Sequence, residues 1–135
     1  MIRALLPLAM LASCAAVPPG EVPPDGAPLA GRWGGEHVGL TLDAAGGTLD
    51  YDCAAGTIAG PVIAGRDGGF SASGTHSPGH GGPEQVGETH ASFPARYEGN
   101  VRGDRMTLTV RVDNGTVIGP YSLRRGAEPV LLRCL

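Results

Sequence analysis

The sequence predicts an all-β domain, a small antiparallel up-and-down β-barrel of about eight strands. Three observations carry that reading. Apolar and polar residues alternate with a period of two in several short runs, turn-forming residues separate those runs, and no segment sustains a helical period. Gly 23 and Pro 12 of 135 residues bring the chain near the composition of disordered proteins. Outside residues 15–30, however, they punctuate apolar runs and do not replace them.

In chain order, Val38, Leu40 and Leu42 share one face of a first strand while Gly39, Thr41 and Asp43 take the other. Leu49, Tyr51 and Cys53 follow, opposed by Thr48, Asp50 and Asp52. Ile58 and Val62 mark a third run, where Pro61 implies an edge or bulge. Phe70, Ala72 and Gly74 begin a fourth, and Ala95, Tyr97, Gly99 and Val101 a fifth. Met106, Leu108, Val110 and Val112, against Thr107, Thr109, Arg111 and Asp113, form the clearest strand. Asp113-Asn114-Gly115 turns the chain, because Asn-Gly accepts the positive φ of a type I′ hairpin. Residues 116–123 and 130–135 complete the set.

Such strands pack as a sandwich or close into a barrel, and closure removes both exposed edges. Small inward residues, Ala72, Gly74, Ala95 and Gly99, suit a narrow barrel that fills its own interior.

The N-terminus is built as an export signal: Arg3, an apolar stretch from Ala4 to Ala12 broken at Pro7, then small residues. That stretch is too short to span a bilayer, which takes about 20 apolar residues. Leu11-Ala12-Ser13-Cys14 resembles the lipobox of bacterial lipoproteins. The resemblance implies cleavage after Ser13, removing a signal peptide of residues 1–13, and acylation of Cys14, whose thiol takes up a diacylglyceryl group. It also implies membrane attachment through that lipid in the cell envelope. Ala15 in place of Asp resembles the pattern sorted to the outer membrane, facing the periplasm, where two membranes exist. The other readings are a secretory signal beside a chance cysteine, or the first helix of a cytosolic protein.

Residues 14–30, with Pro18, Pro19, Pro23, Pro24 and Pro28, then read as a tether, and residues 31–135 as the barrel domain. In polyproline II the tether reaches roughly 50 Å. With Cys14 lipidated, Cys53 and Cys134 remain in an oxidising compartment and are expected to form one disulfide; two free buried thiols are the alternative. Strand spacing places that bridge at a barrel end, where both cysteines terminate their strands. Once Arg3 leaves with the signal, the remaining arginines are outnumbered by 13 Asp plus Glu, and such an acidic chain is a poor nucleic-acid binder.

Gly31-Arg32-Trp33 resembles the Gly-x-Trp opening of the first strand in lipocalins and other calycin barrels. On that resemblance Trp33 closes the barrel under a late arginine, Arg124, Arg125 or Arg133. Trp33 would point away from Val38, Leu40 and Leu42 unless a bulge intervenes, and Gly34-Gly35 suits one. The pieces Gly31–His37, Asp52–Gly56, His80–Pro83 and Leu132–Leu135 are similar to a group of small exported bacterial proteins, a likeness that brings no catalytic residues.

The long connection from Ser77 to Pro94 holds His80 and His90, with Glu84 and Glu88 between them; His76 lies beside it and His37 is a further candidate. Histidine with carboxylate is a zinc, copper or nickel set, but the spacing matches no established motif and a solvated loop is the plainer reading. Arg102-Gly103-Asp104 matches an adhesion tripeptide and also reads as a turn, and Asp50 with Asp52 as a carboxylate pair or a solvated face. No Gly-x-Ser-x-Gly, phosphate loop or His-Glu-x-x-His occurs, so no enzyme and no cofactor is expected. Two functions remain: a barrel binding a small apolar ligand at its mouth, or a protein-interaction module such as an exported protease inhibitor. The latter would use residues 20–32 or an exposed loop. A packed interior argues against the ligand.

Overall fold

A computed structural model describes residues 26–83, 85–132 and 134. Eight strands close into one antiparallel barrel in chain order: β1 (Gly31–Gly35), β2 (Val38–Asp43), β3 (Gly46–Tyr51), β4 (Ala54–Ala59), β5 (Gly69–Pro78), β6 (Phe93–Arg102), β7 (Arg105–Val112) and β8 (Val117–Arg125). The expected fold class is the one found, but three of the expected runs differ from the strands observed.

The first expected strand is a hairpin. β1 and β2 pair through Trp33 opposite Leu40, and a two-residue turn at Glu36-His37 replaces the bulge expected at Gly34-Gly35. Residues opposite each other in a hairpin share a face, so the reversal puts Trp33 in the core with Leu40 and Leu42. The third expected run is also shorter: β4 ends at Ala59, and Pro61 and Val62 lie beyond it. Asp52 and Cys53 turn between β3 and β4 and do not extend a strand.

The last run is not a strand. After β8 the chain turns at Gly126 and runs back over the outside of β1 as a strap. Gly126 N donates to Arg32 O at 2.7 Å, Val130 N to Gly35 O at 3.1 Å, and His37 N to Val130 O at 2.8 Å. Val130 bridges Glu36 in parallel, which the β1–β8 antiparallel seam leaves no room to extend into a ninth ladder. That seam is short, pairing only Trp33 with Arg125 and Gly34 with Arg124. The strap therefore reinforces the weakest junction of the barrel. It ends in the Cys53–Cys134 disulfide, with Cα atoms 4.9 Å apart.

Two glycines let the strap lie flat. A methyl group at Gly34 would sit 2.2 Å from Ala127 O, and one at Gly39 3.0 Å from the Pro129 ring. The interior is filled from all strands: Trp33, Leu49, Met106, Leu108, Val110 and Tyr97 are almost wholly buried. The small inward residues make room for large ones, since a methyl at Gly99 would meet Phe70 and one at Gly56 the Tyr97 hydroxyl. At the end away from the disulfide, Leu29 and Val62 are both buried and join through Leu29 N to Val62 O at 2.7 Å.

Candidate functional site

The disulfide end of the barrel carries the β1–β2 and β3–β4 turns, the β5–β6 loop, the β7–β8 turn and the strap's tip. Two of its residues, His37 (φ 71°) and Cys53 (φ 61°), adopt left-handed backbone without being glycine. Such conformations persist only where surroundings enforce them. Here the surroundings are mutual. The His37 ring Nδ1 pairs with the Asp52 carboxylate, whose Oδ1 accepts Leu132 N at 2.6 Å, while the His37 amide holds Val130. One carboxylate thus ties a turn to the strap, next to the covalent bond that ends it.

The strap's side chains are presented outward. Val130 and Leu132 are each 61% exposed and Leu131 38%, with Val117 of β8 and Val86 of the long loop also exposed. An apolar row on main chain held by hydrogen bonds and a disulfide is ready-made contact area, because little side-chain or backbone freedom is lost when a partner covers it.

Inside this end, all three tyrosines and one histidine form a polar-tipped plug. Tyr51 stacks on Tyr121 with centroids 5.9 Å apart and tilts against His76 at 5.6 Å. Tyr97 donates its hydroxyl proton to Thr75 O at 2.5 Å. Burial pushes all three phenols above their ordinary range, Tyr51 most, with Tyr97 beside it adding to the effect. Burial pushes the His76 imidazole down, and its Nδ1 has no hydrogen-bond partner among the described residues. These groups remain neutral at pH 7.

The four histidines do not converge. His76 is inside the barrel, His37 is on the rim with Asp52, and His80 and His90 stack at 6.0 Å on the long loop. His80 pairs with Glu88, whose carboxylate, accepting Gln85 N at 3.0 Å, is held below the usual range chiefly by that bond. Among the described residues, no three His, Cys, Asp or Glu side chains gather as a metal set; Glu84 lies outside those residues. The Arg125 guanidinium, of the three arginines named for the role, covers Trp33 at 4.4 Å from the ring centroid, and Arg133 lies outside the described residues. Of Arg102-Gly103-Asp104, Arg102 ends β6 and Gly103-Asp104 form the β6–β7 turn, where Asp104 O accepts Arg125 N at 2.8 Å. Asp50 stays on β3 while Asp52 sits in the turn engaged with His37 and Leu132. Cys14 and the rest of residues 1–25 lie outside the described residues.

Sequence reasoning missed the strap and the tyrosine plug. The signal for the strap was Gly34 and Gly39, two glycines where an exposed strand face has no need of them. Fold and rim together define a class: a closed, disulfide-bonded, single-barrel protein with a strap across its seam. Comparison with known proteins finds no family, no curated protein and no solved structure that matches the chain.

Proposed function

We propose that the chain is a lipid-anchored protein of the bacterial cell envelope whose barrel serves as a non-enzymatic protein-interaction module, of the kind that inhibits exported proteases. The observation that carries this reading is a filled interior combined with apolar side chains held out on the strap. Binding then falls to the outer surface. The rim supplies Val130, Leu131 and Leu132, and the segment entering β1 is pinned at Leu29. The other reading, a small apolar ligand at the barrel mouth, has less support, because Tyr51, His76 and Tyr121 occupy that mouth with polar groups.

The test is to add the full chain in increasing molar ratio to a panel of exported serine and metalloproteases and follow hydrolysis of a fluorogenic peptide. Stoichiometric loss of activity, weakened at least tenfold by Leu132→Asp, is the expected result. Unchanged rates for every protease at large excess withdraw the inhibitor reading. Mass spectrometry of the protein extracted from its membrane tests the address: a diacylglyceryl adduct on Cys14 supports anchorage, and an intact leader with a free thiol ends it.

A further inference from the structure

Three arginines stand side by side on the outer face of β6, β7 and β8. Arg102 pairs directly with Arg105, and Arg105 with Arg124; the flanking Val101, Met106 and Leu123 point inward. Directly opposed residues lie about 5 Å apart, so the three chains leave the sheet within about 10 Å of one another. Like charges so placed repel. Elsewhere the chain gives its arginines partners: Arg32 has Glu128, Arg96 the Ser71 hydroxyl, Arg111 has Glu98, and Arg125 the Trp33 face. Among the described residues, Arg102, Arg105 and Arg124 have no side-chain hydrogen bond or ion pair.

They line a groove of about 930 Å³ between this wall and the strap. Beside the arginines it presents Thr107 and Ser122, whose hydroxyls donate to anions, and Gly34 and Gly35 line it from β1. Glu36 borders it from the β1–β2 turn, and Asp104 is exposed on the β6–β7 turn between Arg102 and Arg105. Neither acid pairs with the three cations.

We propose that this groove binds a phosphate dianion, either free or carried by a lipid headgroup. Guanidinium forks match phosphate oxygens in bidentate fashion, and three of them with two hydroxyls supply more donors than a single carboxylate uses. The volume also lies within the range of small-ligand sites, leaving room for what the phosphate is attached to. The site uses none of the rim residues and stands whether or not the rim binds a protein.

The full chain is titrated at fixed ionic strength with inorganic phosphate and, separately, with monomeric dihexanoyl phosphatidic acid, following amide resonances of Thr107 and Ser122. Binding is expected to weaken at least tenfold in Arg105→Gln and to be unchanged in Arg96→Gln, whose arginine lies outside the row. The ligand-free Arg105→Gln protein is expected to melt higher than wild type, and added phosphate to raise the melting temperature of wild type only. Binding of inorganic phosphate identifies the free anion as sufficient; binding of the lipid alone assigns the headgroup. Either supports the site. No resonance shift with both probes, or equal affinity in Arg105→Gln, overturns it.

Discussion

The wall of the barrel that the strap crosses and the wall it leaves bare are built from opposite residues. Over β1 and β2 the outward positions at the crossing are Gly34, which faces the Ala127 main chain, and Gly39, which faces the Pro129 ring. Over β6–β8 they are Arg102, Arg105, Arg124, Thr107 and Ser122, and the surface is open. Both walls are outer faces of one continuous sheet with one register. What lies above a sheet position, and not its place in the strand, therefore selects the residue there: no side chain where backbone must dock, and charge where solvent or a ligand arrives.

The sharpest way to break the covered wall is to release its strap. Cys134→Ser removes a bridge between residues separated by 81 positions. In the chain-entropy account that costs about 4.5 kcal/mol, read as a lower urea midpoint. Faster amide exchange at His37 and Val130 is expected with it; unchanged exchange there would show that the strap holds without the bond. Gly34→Ala puts a methyl against Ala127 O and is expected to cost about 1–3 kcal/mol, whereas Thr107→Ala on the bare wall stays within about 0.5 kcal/mol. Equal costs on the two walls would erase the contrast. Asp52→Ala, which leaves the Leu132 amide without its acceptor, is expected to cost about 1 kcal/mol and to loosen the strap's tip before the barrel.

Smaller effects follow from charge. His76 is held neutral inside the barrel, so its folded pKa lies below the unfolded value of about 6.5. Below that pH the unfolded chain binds the extra proton, and stability falls as pH drops through 6 and 5; above it His76 contributes no pH dependence. His76→Phe is expected to flatten that acid limb in a series of urea melts, and an identical limb would assign it to other groups. The smallest change has the opposite sign: Arg105→Gln relieves repulsion on the bare wall and is expected to add a few tenths of a kcal/mol.

Much of the fold was legible because each strand carries its own alternation. Val38 to Leu42, Met106 to Val112 and the Asn114-Gly115 turn are local signals, and the structure has strands and a turn there. Two errors offset each other in the strand count. A two-residue turn at Glu36-His37 has no glycine, asparagine or proline to announce it, since His37 takes the left-handed backbone. Val130, Leu131 and Leu132 have strand composition but find no free edge, because β1 and β8 have already closed the sheet. The rim was harder to see. His37, Asp52, Val130 and Leu132 come from three distant stretches, and no spacing rule joins them. The arginine row was half visible: a four-residue turn opposes Arg102 and Arg105, but adding Arg124 requires the β7–β8 register.

By itself, the sequence determined that this domain is all-β, which faces of β2, β5, β6 and β7 turn to its core, and that Cys53 and Cys134 are the cysteines available to each other in the folded domain. Those properties depend on neighbours one or two residues away, or on a count. Tertiary structure alone decided that the last apolar run would be a strap and not a strand. It also decided that glycines mark the strap's bed and that three unrelated arginines share one face. The physical reason is closure: once the sheet meets itself, no edge remains for another strand, and the register of the closed barrel sets which distant side chains stand together.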